Sequence, residues 1–219
     1  MADCAILAEV ERLAAEHPLA GATTNPSILL AAHEKGQRAS DIEVLRGLLA
    51  VVPGPVFMQP MAGDAIALFA AAMRYIEIEP SRVVVKLPPS AIGLTTARAL
   101  RQQAARLSFT AVTTLVQAWL TIQVNAEWII PYLGRMRKAG LDPRKRIGDM
   151  VKIAELANPS PRVLVASVKS ALDVEDALLA GAHDITASPE VIRTLLSDEI
   201  STQAYAQFTT DWAKLRQKP

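Results

Sequence analysis

A lysine at the end of an apolar β-run is a group that can do chemistry. Residues 82–89 read Arg82, Val83, Val84, Val85, Lys86, Leu87, Pro88, Pro89. Three β-branched residues in a row predict a strand buried on both faces, and the two prolines forbid it to continue past the lysine. Burial of an ammonium is costly and lowers its pKa toward neutrality, which leaves an amine able to attack a carbonyl and form a Schiff base. The competing reading is a lysine whose stem lies along the strand end while its head reaches water.

The elements that must hold this lysine alternate along the whole chain. Short apolar strands are predicted to start near residues 19, 55, 82, 108, 128, 162 and 183. Helical spacing is predicted between them over 4–16, 42–52, 64–77, from Ser90 through Arg106, and over 114–125, 142–157 and 170–180. Pro26, behind Asn25 as a cap, and Pro189 each begin a helix, and residues 200–216 make one more at the C-terminus. Strand–helix alternation with strands apolar throughout predicts parallel strands covered by helices. The expected fold is α/β, a single (β/α)8 TIM-barrel domain over 1–219, with a shortened first strand and an extra C-terminal helix. The alternative is an open doubly wound sheet, although neither a GxGxxG turn nor a Walker loop occurs.

Only Met1, Ala2 and Asp3 are left to supply the eighth strand. The expectation is either a start further upstream or a stub with Asp3 poorly held at a frayed end and backbone groups of its neighbours unpaired.

Barrel catalysis takes place at the C-terminal ends of strands. Those ends carry Asp3, Thr23 and Asn25, Gln59, Lys86, Thr110, Tyr132, Ser167 and Thr186. Singly, each has an ordinary explanation: a helix cap for Asn25 or Ser167, a strand residue for Thr110, a rim aromatic for Tyr132. Together they form a ring of hydrogen-bonding groups around one strand-end lysine, which packing does not explain. Arg135 belongs to a basic run with Arg137, Lys138, Arg144, Lys145 and Arg146, whose usual meaning is a solvated face. As the member nearest the mouth it is the best phosphate fork, with Lys169 a weaker candidate. His17, His33 and His183 share no common end of the pattern, and no metal-ligand spacing occurs.

Net charge is +1 over 219 residues, which gives no argument for nucleic acid or an acidic membrane. The uncharged stretch 107–126 holds too many Ser, Thr, Gln and Asn residues for lipid. Cys4 is the lone cysteine and the first residues lack the basic region of a signal peptide, so a cytoplasmic location is expected.

These residues resemble the transaldolase family. The segments that carry the likeness are Thr23 to Ser27 (TTNPS), Val84 to Pro88 around Lys86, Phe109–Thr110, Pro131–Tyr132 with Arg135, and Ala166–Ser167 with Lys169. The chain is most similar to the small bacterial fructose 6-phosphate aldolase branch. The resemblance implies a (β/α)8 barrel in carbohydrate metabolism of the pentose phosphate type, with Schiff-base chemistry and neither metal nor cofactor. It implies that Lys86 forms the imine, that Thr23 and Asn25 hold substrate hydroxyls, and that Asp3 contacts a hydroxyl or acts as a base. Thr110 with Gln59 would hold a catalytic water beside Tyr132, and Arg135 and Ser167 would grip a phosphate. Transaldolases proper use Glu where this chain has Gln59 and Phe where it has Tyr132, so both positions resemble the aldolase branch. Departures are the short first strand, Pro89–Ser90 after the lysine strand, and Arg137 at a position usually acidic.

Implied partners are sugar phosphates or small aldehydes and ketones, and further copies of the chain in a pentamer or decamer with the C-terminal helix swapped to a neighbour. The alternatives are dihydroxyacetone transfer between sugar phosphates, and a non-catalytic phosphosugar-binding barrel.

Overall fold

In a computed structural model describing residues 1–217, eight parallel strands close into a barrel in sequence order. They are β1 (Ala2–Asp3), β2 (Ala22–Thr23), β3 (Val56–Met58), β4 (Val83–Leu87), β5 (Arg106–Val112), β6 (Trp128–Pro131), β7 (Arg162–Val168) and β8 (Asp184–Ala187). The intervening helices are α1 (Leu7–Glu16), α2 (Pro26–Glu34), α3 (Asp41–Val51), α4 (Ala65–Ile76), α5 (Ala91–Arg101), α6 (Leu115–Gln123), α7 (Leu133–Lys138), α8 (Pro143–Glu155), α9 (Ala171–Leu179) and α10 (Pro189–Thr194). An eleventh, α11 (Glu199–Arg216), follows the barrel.

Strand alternation sorts the side chains. Val83, Val85 and Leu87 of β4 pack outward into the two clusters beneath the helices, while Val84 and Lys86 point into the barrel. The same register puts Phe57, Trp128, Ile130, Leu164 and Ala166 inside. Phe57 and Trp128 meet edge to face at 5.1 Å between ring centres and plug the interior. Lys86 lies two residues beyond Val84 on the same face, so its amine sits on the mouth side of an apolar plug rather than in a water-filled pore.

At the opposite end Arg82 ties α3 to β4. Its guanidinium donates to the carbonyls of Leu49 (3.0 Å) and Val52, which the end of α3 leaves without helical partners, and to that of Gly54 (3.1 and 3.2 Å) in the following turn.

Three expectations need correction. The helix expected to run through Arg106 stops at Arg101, because Ala104 turns to φ 54° and Arg106 already starts β5. The segment after Tyr132 is not merely a basic run, since six of its residues form α7 with Leu133 and Met136 turned inward. The third concerns the unpaired backbone expected beside the first strand, which is as short as expected, two residues, and still closes the barrel. Ala2 pairs with Ala22 and with Ala187, and Asp3 with Thr23. The peptide N–H of Ala2 donates to Gly21 O and that of Ala187 to Met1 O. The neighbour β2 is itself only two residues long, so a two-residue β1 matches the paired length it faces.

Helix α11 carries no buried residue. Tyr205, Phe208, Trp212 and Leu215 follow one another at intervals of three or four, and each is more than half exposed.

Candidate active site

The chain motif 23–26 distributes four tasks over consecutive residues. Thr23, the last residue of β2, is fully buried and donates its hydroxyl to Asp3 Oδ1 at 2.6 Å. Thr24 is buried as well, and its hydroxyl donates to Phe57 O at 3.1 Å, stitching β2 to β3. Asn25 caps α2 by accepting from the peptide N–H of Ile28 at 3.0 Å. Pro26 takes the first helical position, where a missing N–H costs nothing.

The carbonyl of Thr24 meets Lys86, whose Nζ donates to it at 2.8 Å. Lys86 is 1 % exposed. Burial pushes its pKa down to about 8, against the smaller opposing pull of the Asp3 carboxylate. A substantial fraction of the amine is therefore neutral near physiological pH, as addition to a carbonyl requires. After β4, Ser90 turns the chain into α5 by accepting from the N–H of Gly93 at 3.1 Å. A Cβ at position 93 would lie 2.1 Å from the carbonyl oxygen of Pro88, so only glycine fits beneath this turn.

Above Lys86 the strand ends open into a cavity of about 770 Å³. Asp3, Asn25, Gln59, Lys86, Thr110 and Tyr132 line it, with Arg135 and Ser167 at one side. That volume suits a sugar phosphate or a ligand of similar size. A smaller apolar cleft bordered by Leu19, Val51 and Pro53 lies at the other end of the strands and offers no chemistry.

Tyr132 is the N-cap residue of α7 and its phenol accepts from Thr110 Oγ1 at 3.1 Å. Burial pushes the phenol pKa up, and the Thr110 hydroxyl pulls it partly back. The phenol is therefore a proton donor rather than a phenolate at neutral pH. Gln59 faces the cavity but its amide reaches Met61 Sδ at 3.6 Å, not Thr110 or Tyr132.

Two irregularities frame Tyr132. An extra residue bulges β5 at Ala111 (φ 59°), and another bulges β7 at Ser167 (φ 61°). Ser167 packs against the start of α7, where a Cβ on Gly134 would stand 2.5 Å from the Ser167 carbonyl oxygen. The absent side chain at 134 lets Ser167 and Arg135 share one wall of the mouth.

The basic face resolves by pairing. Arg137 donates to Asp173 at 2.7 Å and to Asp176 at 2.8 Å, and so leaves the mouth. Its place at a position usually acidic is explained by these two carboxylates on α9. Arg135, Lys138 and Lys169 all border the cavity, and among the described residues none makes an ion pair. The Arg135 guanidinium lies 5.5 Å from the centre of the Tyr132 ring.

The structure thus brings every sequence-derived site residue, Asp3, Asn25, Gln59, Lys86, Thr110, Tyr132, Arg135 and Ser167, to one cavity, with Thr23 directly behind Asp3. Asp3, expected to be poorly held, is fixed by its 2.6 Å bond from Thr23. Sequence reasoning missed the Thr24 carbonyl, because any residue could supply that group. It also missed Lys138, whose place at the mouth depends on α7.

A barrel whose mouth holds a buried, partly neutral lysine among hydroxyls and cations is the arrangement of Schiff-base enzymes acting on phosphorylated carbonyl compounds. A family profile described as Transaldolase/Fructose-6-phosphate aldolase matches residues 1–218. A protein of Desulforudis audaxviator named "Probable transaldolase" is 31 % identical over 216 residues, covering 99 % of this chain and 98 % of the other. One of Pelotomaculum thermopropionicum with the same name is 29 % identical over the same length and shares.

The chain belongs to the transaldolase/fructose-6-phosphate aldolase family, and is a Schiff-base enzyme handling dihydroxyacetone units of sugar phosphates. Among solved structures it is similar in fold to a mandelate oxidase with an FMN adduct (TM-score 0.59, 13 % identity, 87 % of this chain and 63 % of that one). It is similar too to an inosine 5'-monophosphate dehydrogenase of Legionella pneumophila (TM-score 0.52, 18 % identity, 73 % of this chain and 52 % of that one). At such identities these show the barrel alone.

The depressed pKa of Lys86 makes a stability prediction with a definite sign. Between the folded value of about 8 and the unfolded value the unfolded chain binds more protons, so stability rises with pH across that window. Lys86→Met has no such group. Its stability advantage over the parent should shrink by on the order of 2–3 kcal/mol from about pH 7 to about pH 10. Urea unfolding of both proteins at the two pH values checks this, and a constant difference would refute a depressed Lys86.

Proposed function

We propose that the protein is a fructose 6-phosphate aldolase that works through an imine on Lys86. The observation that supports this most is the placement of that buried amine beneath a hydrogen-bonded Thr110–Tyr132 pair at the cavity floor. The neutral amine adds to the C2 ketone and water leaves, giving an iminium. Asp3 takes the proton of the C4 hydroxyl as the C3–C4 bond breaks. The bond's electron pair moves into the iminium, which becomes an enamine, while C4 becomes the aldehyde of the leaving fragment. Tyr132, through a water held with Thr110 and Gln59, then protonates C3, and hydrolysis frees dihydroxyacetone. Thr23 supports Asp3, Asn25 holds a substrate hydroxyl, and Arg135 and Ser167 grip the phosphate, with Lys138 and Lys169 adding positive charge.

Transfer of the dihydroxyacetone unit to a second aldehyde is the other reading, favoured by the names of the two relatives. The two differ in the fate of the enamine, which a phenol can quench. Borohydride reduction with dihydroxyacetone should place the adduct on Lys86. Tyr132→Phe should lower release of free dihydroxyacetone by about tenfold or more, on the scale of lost acid–base catalysis, and raise transfer to erythrose 4-phosphate. An adduct elsewhere would overturn the Lys86 assignment, and unchanged partitioning the Tyr132 assignment.

For the phosphate grip, Arg135→Ala should raise KM for phosphorylated aldehydes by about tenfold or more while leaving glyceraldehyde nearly unaffected, since a charge-assisted bond contributes about 1.5–3 kcal/mol. Equal effects on both substrates would make Arg135 part of the solvated face.

We further propose that the apolar stripe of α11 docks on a second copy of the chain, as the family resemblance implies for a ring-forming homo-oligomer. Sedimentation velocity should then give an oligomer that Phe208→Glu with Trp212→Glu converts to smaller species, and a parent that sediments as a monomer would refute it.

A further inference from the structure

Three side chains at the seam where β1 closes the barrel form one hydrogen-bonded line. Thr186 of β8 and Thr23 of β2 bring their hydroxyl oxygens to 2.7 Å, and Thr23 Oγ1 stands 2.6 Å from Asp3 Oδ1. Both threonines are at most 1 % exposed. The direction of the line follows from counting protons. A hydroxyl has one proton, and an ionised carboxylate can only accept. The Thr23 proton therefore goes to Asp3, and Thr23 must accept the proton of Thr186. The other contact available to the Thr186 hydroxyl, Met1 O at 3.4 Å, is too long to compete. Asp3 Oδ2 has no protein partner among the described residues, and Asp3 borders the cavity.

We propose that Thr186 is a positioning residue: its hydroxyl orders Thr23 as a donor to Asp3, so that one carboxylate oxygen is pinned and the other faces the substrate as a base. Each bond in such a line polarises the next, and the buried setting strengthens both. The inference rests on Asp3 being the base of the proposed reaction. A valine at 186 fills the same space without the hydroxyl, leaves a lone pair of Thr23 unfilled, and removes the donor that polarises the Thr23–Asp3 bond.

The test compares Thr186→Val and Thr186→Ser in the parent and in Asp3→Ala. Thr186→Val should lower kcat for fructose 6-phosphate cleavage about 3- to 10-fold, the scale of one net hydrogen bond, with KM changed less than twofold. Thr186→Ser should stay within about twofold of the parent, since it keeps the donor. In Asp3→Ala the valine should cost nothing more.

The carboxyl carbon NMR shift of Asp3 at neutral pH supplies a readout independent of activity, because it reports the hydrogen bond that the carboxylate accepts: it should move in Thr186→Val and return in Thr186→Ser. An undiminished valine effect in Asp3→Ala, or an Asp3 carbon shift that stays put in Thr186→Val, would overturn the inference. Full activity of Asp3→Ala would instead overturn the role of Asp3 as base, while the carbon shift still reports whether Thr186 governs the bond to its carboxylate.

Discussion

Everything at the mouth depends on keeping one amine out of water without leaving it unpaired. Lys86 is surrounded by the barrel wall, stands on the side of the apolar Phe57–Trp128 plug that opens to the cavity, and among the described residues has a single hydrogen-bond partner, the carbonyl of Thr24. A carbonyl suits the task better than a carboxylate. It accepts a bond from the ammonium or the neutral amine, whereas a carboxylate at the same distance would hold the charge and raise the pKa. Asp3, the one carboxylate in the cavity wall among the described residues, contributes only the lesser of the two effects on Lys86. The rigid motif 23–26 exists to place that carbonyl: Thr24 is sewn to β3, and Asn25 and Pro26 start a helix immediately behind it.

The mouth is also where the barrel departs from regular geometry. Ala111 and Ser167 adopt left-handed backbone conformations that cost a non-glycine residue about 1–2 kcal/mol each. They lie in β5 and β7, on either side of the strand that delivers Tyr132. Bulges re-aim side chains at strand ends, and here they let Thr110 reach the Tyr132 phenol and Ser167 reach the wall of α7. The stabilising interactions that offset this strain lie elsewhere, in the helix-covered clusters and in contacts such as the Arg82 clasp at the far end.

The strands and most helices were legible in the sequence because burial on both faces leaves uninterrupted apolar runs between prolines and caps. The site residues were legible because strand ends put them on one rim. What escaped has physical reasons. The end of α5 carries no glycine, since Ala104 itself takes the left-handed turn. Helix α7 is six residues long and turns only Leu133 and Met136 inward, too few for a periodic signal. The hold on Asp3 was misjudged because a short strand suggests a loose end, while its actual fixing comes from Thr23, a side chain twenty residues away. The Thr24 carbonyl escaped because the segment around it points to side chains, and Thr186, placed on the rim by its strand end, gave no sign of its bond with Thr23.

The two-residue β1 ties closure of the barrel to completion of the cavity wall. It pairs with β8 across almost the whole sequence, a long loop to close for a contact with little strand to reward it. The segments from β2 to β8 carry Lys86, Thr110 and Tyr132, while Asp3 comes from β1. Docking β1 therefore removes the open edge of the sheet and brings Asp3 to the cavity in one event.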